Sequence, residues 1–149
     1  MALPTRAIEI VALARMRGDA TLQGMMTAGV TPLWSIYGFD EIPTNTPFPY
    51  IAAGVPTSQA GGAETMDMPG VDSWLQVSVL TQTGQTGGFA QAWSIANQVH
   101  ELFNRKALDI TASGFSNFFL LFENALEQPQ ADGITQHIPM RFKLMNQGG

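Results

Sequence analysis

The chain has 149 residues, 45% of them hydrophobic but only 13% charged, with seven Lys and Arg against twelve Asp and Glu (formal net charge −5) and no cysteine. Such a length is most simply one domain over residues 1–149, with a core that removes roughly 68–70% of the unfolded chain's surface, so neither disulfides nor a metal is needed to hold it together. The missing cysteine excludes thiolate nucleophiles and Cys-based zinc sites, and the acidic balance argues against a phosphate-neutralising surface. A charged fraction well below the usual ~25% suits a subunit in contact with copies of itself, and equally an ordinary soluble domain.

At the N-terminus, Glu9 interrupts the apolar middle of "MALPTRAIEIVALARMRGD" and no small-residue cleavage site follows, so a secretory signal is not expected. No stretch approaches the ~20 apolar residues of a membrane helix, and a soluble protein made in a cytoplasm is the expectation. Pro4 suits a first helical turn. Ile8, Val11, Ala12 and Met16 then recur at helical spacing up to a stop at Gly18, with Arg15 and Arg17 where a helix C-terminus favours cations. Asp19 is placed to cap a short second helix carrying Leu22, Met25 and Met26.

"TPLWSIYG" and "PYIAAGV" read as two short strands joined by "FDEIPTNTPF", where Pro43, Pro47 and Pro49 confine the segment to a connection or a sheet edge. Residues 56–70, "PTSQAGGAETMDMPG", form a long stretch of low hydrophobicity around Gly61 and Gly62; a connection of that kind is either functional or disordered. "VDSWLQVSVLTQT" follows as a half-buried strand with Leu75, Val77 and Val79 on one face and Trp74, Gln76, Ser78 and Leu80 on the other.

After "GQTGG" a helix begins at "FAQAWSIANQVHELFNR". At about 100° per residue it places Phe89, Ala92, Trp93, Ile95, Ala96, Val99, Leu102 and Phe103 on one half of the cylinder, wider than a single-sided surface helix requires. Two readings fit: deep burial on one sheet, or a sheet on one flank and another subunit on the other. The chain closes with "FSNFFLLFENALEQ" and "ITQHIPMRFKLM" around Asp132–Gly133, a long antiparallel hairpin. In its last run Ile134, Ile138, Met140, Phe142 and Leu144 share a face opposite Thr135, His137, Arg141 and Lys143. The fold class is therefore α+β: a mostly antiparallel sheet flanked by two main helices.

Chemistry is sparse. "TGQTGG" at residues 83–88 lies between strand and helix as a phosphate loop would, but has neither the Lys-Ser/Thr of a P-loop nor GxGxxG spacing, so a plain turn is the stronger reading. His100 falls on the apolar arc, where a packing or interface histidine is expected, and His137 sits beside Arg141; neither has a carboxylate at metal-ligand spacing. Asp40 and Glu41 pair in a loop without an apolar setting. A triad assembled in space stays open, though no GxSxG elbow is present. No catalytic residue, cofactor site or metal site is expected.

The order of landmarks resembles the tail-terminator (tail-completion) proteins of long-tailed bacteriophages over roughly residues 5–145. It runs from "LWSIYG" through "PFPYIAAG", "WLQVSVLTQ" and "AQAWSIANQVHELF" to "ENALEQPQADGITQHIPMRFKLM". The resemblance implies a virion protein assembled in the host cytoplasm: a homo-hexameric ring that caps the tail tube, ends elongation and meets a head-completion or neck protein. DNA would pass through its channel without specific binding. It also implies that "PFPYIAAG" is a strand with apolar neighbours on both faces, one in the core and one a helix or an adjoining subunit. Candidate subunit or tube contacts are Trp93, His100, Phe89, Phe103, Tyr50 and the loop glycines Gly61 and Gly62. Another neck or head-closure ring protein, a small dimeric α+β binding module and a hydrolase remain alternatives.

Overall fold

The computed structural model describes residues 5–26, 31, 33–55, 74–82, 89–108, 118–130 and 134–146. Helix α1 spans Thr5–Arg17 and buries Ile8, Ala12, Leu13 and Met16 along one stripe, leaving Ile10 exposed. Helix α2, Ala20–Met25, starts at Asp19 as expected: the Leu22 backbone N–H donates to Asp19 Oδ2 at 2.9 Å. The same oxygen accepts from Gln98 Nε2 at 3.0 Å, which ties the cap to the later helix α3, Phe89–Phe103.

The strands are β1 (Ile36–Gly38), β2 (Tyr50–Gly54), β3 (Trp74–Gln82), β4 (Lys106–Leu108), β5 (Phe118–Ala125), β6 (Gln128–Pro129) and β7 (Thr135–Asn146). They form one seven-stranded sheet in the order β1-β2-β3-β7-β5-β4, with β6 also on β7. All pairs are antiparallel except β1 with β2, which run parallel. The closing hairpin is present as β5 and β7, paired from Phe118↔Asn146 to Ala125↔Met140 with a bulge between Phe122 and Asn124. The Asp132–Gly133 turn lies outside the described residues, as do residues 83–88 and 56–70.

The strand expected over "TPLWSIYG" is shorter than its composition suggests. Trp34 and Ser35 adopt left-handed backbone angles, φ 55° and 58°, which break the pleat and leave three residues to pair. The register then sorts the faces. Leu75, Val77 and Val79 of β3 stand opposite Phe142, Met140 and Ile138 of β7, and all six are buried against α3, whose Ala92, Ile95, Ala96, Val99 and Phe103 are buried in turn. Burial of each such large side chain contributes roughly 1.5–3 kcal/mol.

β2 has four buried residues out of five. Ile51 and Ala53 belong to the core; on the opposite face a Cβ added at Gly54 would lie 2.7 Å from the Phe39 ring. At that position the cover is thus a side chain from the connection after β1, rather than a helix or a neighbour.

Arg15 and Arg17, expected to complement their own helix end, reach other elements. Arg15 donates to Leu102 O at 3.2 Å and Ala107 O at 2.6 Å, and Arg17 to Ile36 O at 2.7 and 3.0 Å. Ala107 and Ile36 belong to the two opposite edge strands. Two arginines from one helical turn thus tie α1 to both edges of the sheet, in keeping with its packing against β1, β2 and β4.

Candidate functional site

Helix α3 packs on one face of the sheet, against β3, β7, β5 and β4, and among the described residues its flank toward β5 and β7 is incompletely closed. Trp93, Ala96, Asn97 and His100 of α3 face Phe122, Ala125 and Met140 across a groove of about 200 Å³. Trp93 is half-buried and its indole N–H donates to Glu127 Oε2 at 2.7 Å, which fixes the ring at the groove mouth. His100, also half-buried, meets Phe122 edge-on at 4.9 Å between centroids; Phe122 meets Phe142, and Phe142 meets Phe103, each at 5.7 Å. This aromatic chain runs from the groove wall into the core, so the wall is stiffly backed.

The structure brings Trp93 and His100 together on that wall. Phe89 is half-buried against the core at the start of the helix, and Phe103 is wholly buried, with Arg15 Cζ 5.5 Å from its ring centre. Phe103 therefore presents no surface of its own and supports the groove from beneath. Tyr50 stands at the start of β2, half-buried, with its ring 5.2 Å from that of Phe48; burial raises its phenol pKa. Gly61 and Gly62 lie outside the described residues.

The two histidines do not meet. His100 packs on the helix-bearing side of the sheet, whereas His137 alternates with the core residues of β7 and lines a second groove on the opposite face, with Gln76, Asn124, Gln128 and Arg141 among its neighbours. Burial lowers the His137 pKa and favours the neutral ring. Arg141 lies over the Trp74 ring at 5.4 Å, and the Trp74 N–H donates to Glu123 Oε2 at 3.1 Å. The opposite-face placement of Trp74, Gln76, His137 and Arg141 was legible from period-two alternation; that β3 and β7 are neighbours was not.

A third grouping escaped sequence reasoning. Glu9 of α1 joins Asp40 and Glu41, with one carboxylate oxygen of each within 4.8 Å of the others. Burial raises the Glu9 pKa most, against the lowering effect of Arg6, whose Nη1 donates to Glu9 Oε1 at 2.5 Å; Asp40 and Glu41 raise it further. Gly38 makes room for the group, since a Cβ there would fall 2.5 Å from Glu9 Oε1. Arg6 offsets part of the charge, and the exposed Asp40 and Glu41 are solvated.

Comparison with known proteins places this geometry among relatives. A family profile described as "Tail completion protein gp17" matches residues 12–145. A chain from a solved structure titled "Virion of native gene transfer agent (GTA) particle" superposes with a TM-score of 0.64 at 18% identity, covering 92% of each chain, a likeness of fold. No curated protein sequence matches.

Proposed function

This chain belongs to the tail completion protein gp17 family and is a structural protein of the virion tail, and from that premise we propose that it forms a closed ring, of six copies, at the head-proximal end of the tail tube. The ring ends tube elongation and offers the surface to which the head or neck protein is joined. The observation that carries this reading is the α3 groove, whose aromatic wall of Trp93, His100 and Phe122 is not closed by the described residues. A groove of about 200 Å³ is smaller than the ~300–1,000 Å³ usual for small-molecule pockets and suits a protein side chain, which favours a subunit contact over a ligand-binding module. Phe89 and Tyr50 extend the contact surface in this reading, and Gly61 and Gly62, outside the described residues, belong to it as well. The fold likeness to a chain of a virion particle supports the same setting.

The charge fits a conduit. Six copies at −5 carry a formal −30, so DNA passes without being gripped, since like charges repel and no counterions are released. The whole of residues 1–149 acts as one domain.

The test is mass by light scattering over a range of concentrations, followed by negative-stain imaging. A six-membered ring with a channel is the expected species. A compact dimer at all concentrations would reverse the proposal, because a two-fold contact closes on itself and leaves no surface with which to build a ring.

A further inference from the structure

The groove on the open face of the sheet has no role in the ring reading. It has a volume of about 320 Å³, and its polar lining consists of three carboxamides, Gln76, Asn124 and Gln128, with the His137 imidazole and the Arg141 guanidinium. Among the described residues no carboxylate lines it, in a chain where twelve acidic residues outnumber seven basic ones. The acidic residue of the adjoining bulge, Glu123, is turned onto the Trp74 indole.

Among the described residues, two nitrogen-bearing groups of this groove have no acceptor. Gln130 Nε2 lies 3.5 Å from His137 Nδ1, and where Nδ1 accepts from it the ring proton is on Nε2. That Nε2 is buried without a hydrogen-bond partner, a condition natural proteins rarely leave unresolved. Arg141 is exposed, held over Trp74, and makes no ion pair among the described residues. A guanidinium pre-oriented on an aromatic face presents a planar fork matched to a carboxylate.

We propose that this groove binds the carboxylate of an Asp or Glu side chain presented by a partner protein, with Arg141 forming the ion pair and His137 Nε2–H the second hydrogen bond. Charge complementarity selects the partner: a groove with a guanidinium and, among the described residues, no carboxylate, on an otherwise acidic protein, takes a single negative side chain. A nucleic acid is a worse fit, because its phosphates call for a basic stripe, and β7 offers only Arg141 and Lys143 on this face. The inference goes beyond the ring and does not depend on it, since the groove is formed within one subunit.

The experiment is an NMR titration of the full chain, at a concentration where light scattering shows monomer, so that its outcome is separate from that of the ring test. The probes are N-acetylglutamate methylamide, its glutamine analogue, inorganic phosphate and a thymidine oligonucleotide. The glutamate probe should shift the His137 ring and Arg141 Nε signals saturably, with a Kd in the roughly millimolar range. The glutamine analogue should bind at least about tenfold more weakly, as should Arg141→Gln and His137→Gln tested with the glutamate probe, a tenfold change being ~1.4 kcal/mol. Unmoved signals, or an equal response to the glutamine analogue, would overturn the proposal. So would stronger shifts with phosphate or the oligonucleotide, which would make the groove a phosphate site. If either variant fails to fold, the four probes on the unaltered chain still decide.

Discussion

Glu9 shows how one side chain acquires a pH dependence from where the fold puts it. It is only 9% exposed and shares its corner with Asp40 and Glu41, so burial first and then those two charges raise its pKa, while Arg6 opposes them. A carboxyl whose folded pKa exceeds its unfolded value binds its proton more tightly in the native state. Its contribution is therefore fully present below the ordinary value of 4.5 and is lost as pH rises through the raised folded value. Glu9→Gln should flatten that part of the stability profile. The check is the urea midpoint of both proteins from pH 4 to 8, where parallel curves would refute it. In the sequence Asp40 and Glu41 read as a solvated pair; the third carboxylate comes from a helix whose periodicity says only that Glu9 lies beside Ile8, not what it faces.

At the scale of elements, the signals that proved local were the readable ones. Asp19 was expected to cap α2, and does; the added bond from Gln98 makes it a tie between two helices as well. Asp19→Ala should cost about 1–2 kcal/mol, more than the cap alone because Gln98 loses its acceptor, and Asp19→Asn should restore most of it. Chemical denaturation of the two variants measures the difference. β2 teaches the converse. "YIAAG" announced an apolar strand, but the contact that shapes its second face is Phe39 against Gly54. Gly54→Ala should destabilise by ~1–3 kcal/mol through overpacking. Combining it with Phe39→Ala should cost less than the sum of the two, because the ring that clashes is gone. Strict additivity in a double-mutant cycle would refute the contact. The strand expected over "TPLWSIYG" was overcalled because aromatic and branched residues favour a pleat on average, and nothing in Trp34 or Ser35 advertises a left-handed backbone.

At the scale of the whole molecule, the groove of His137 and Arg141 and the α3 groove lie on opposite faces of the sheet. A ring requires such an arrangement, because each copy must offer two unlike surfaces to its neighbours. Trp93→Asp should abolish the proposed ring. Since Trp93 also packs on the core and bonds Glu127, Asn97→Arg serves as the second variant, placing a charge at the exposed rim without disturbing buried contacts. The expected outcome is monomer by light scattering with a melting temperature within a few degrees of the parent's. A ring that survives both substitutions would remove α3 from the contact. The breadth of the apolar arc on residues 89–103 had left two readings, and the structure divides it: Ala92, Ile95, Ala96, Val99 and Phe103 go to the core, while Trp93 stays half-open on the flank.

The sequence by itself determined what depends on neighbours along the chain. Two periodicities, 3.6 and 2, with a capping aspartate and punctuating prolines, specified the α+β class, the helices α1 and α3, the closing hairpin and the family resemblance that the profile match bears out. Only the tertiary structure decided which faces and which distant groups meet. The parallel pairing of β1 with β2, the reach of Arg15 and Arg17 to opposite sheet edges, the carboxylate corner and the unpaired His137 nitrogen all follow from register and from which helix each strand meets. Those are set by the simultaneous packing of β1 and β2 on α1 and of β3, β4, β5 and β7 on α3, a sum of many weak contacts between residues far apart in the chain, which local patterning does not encode.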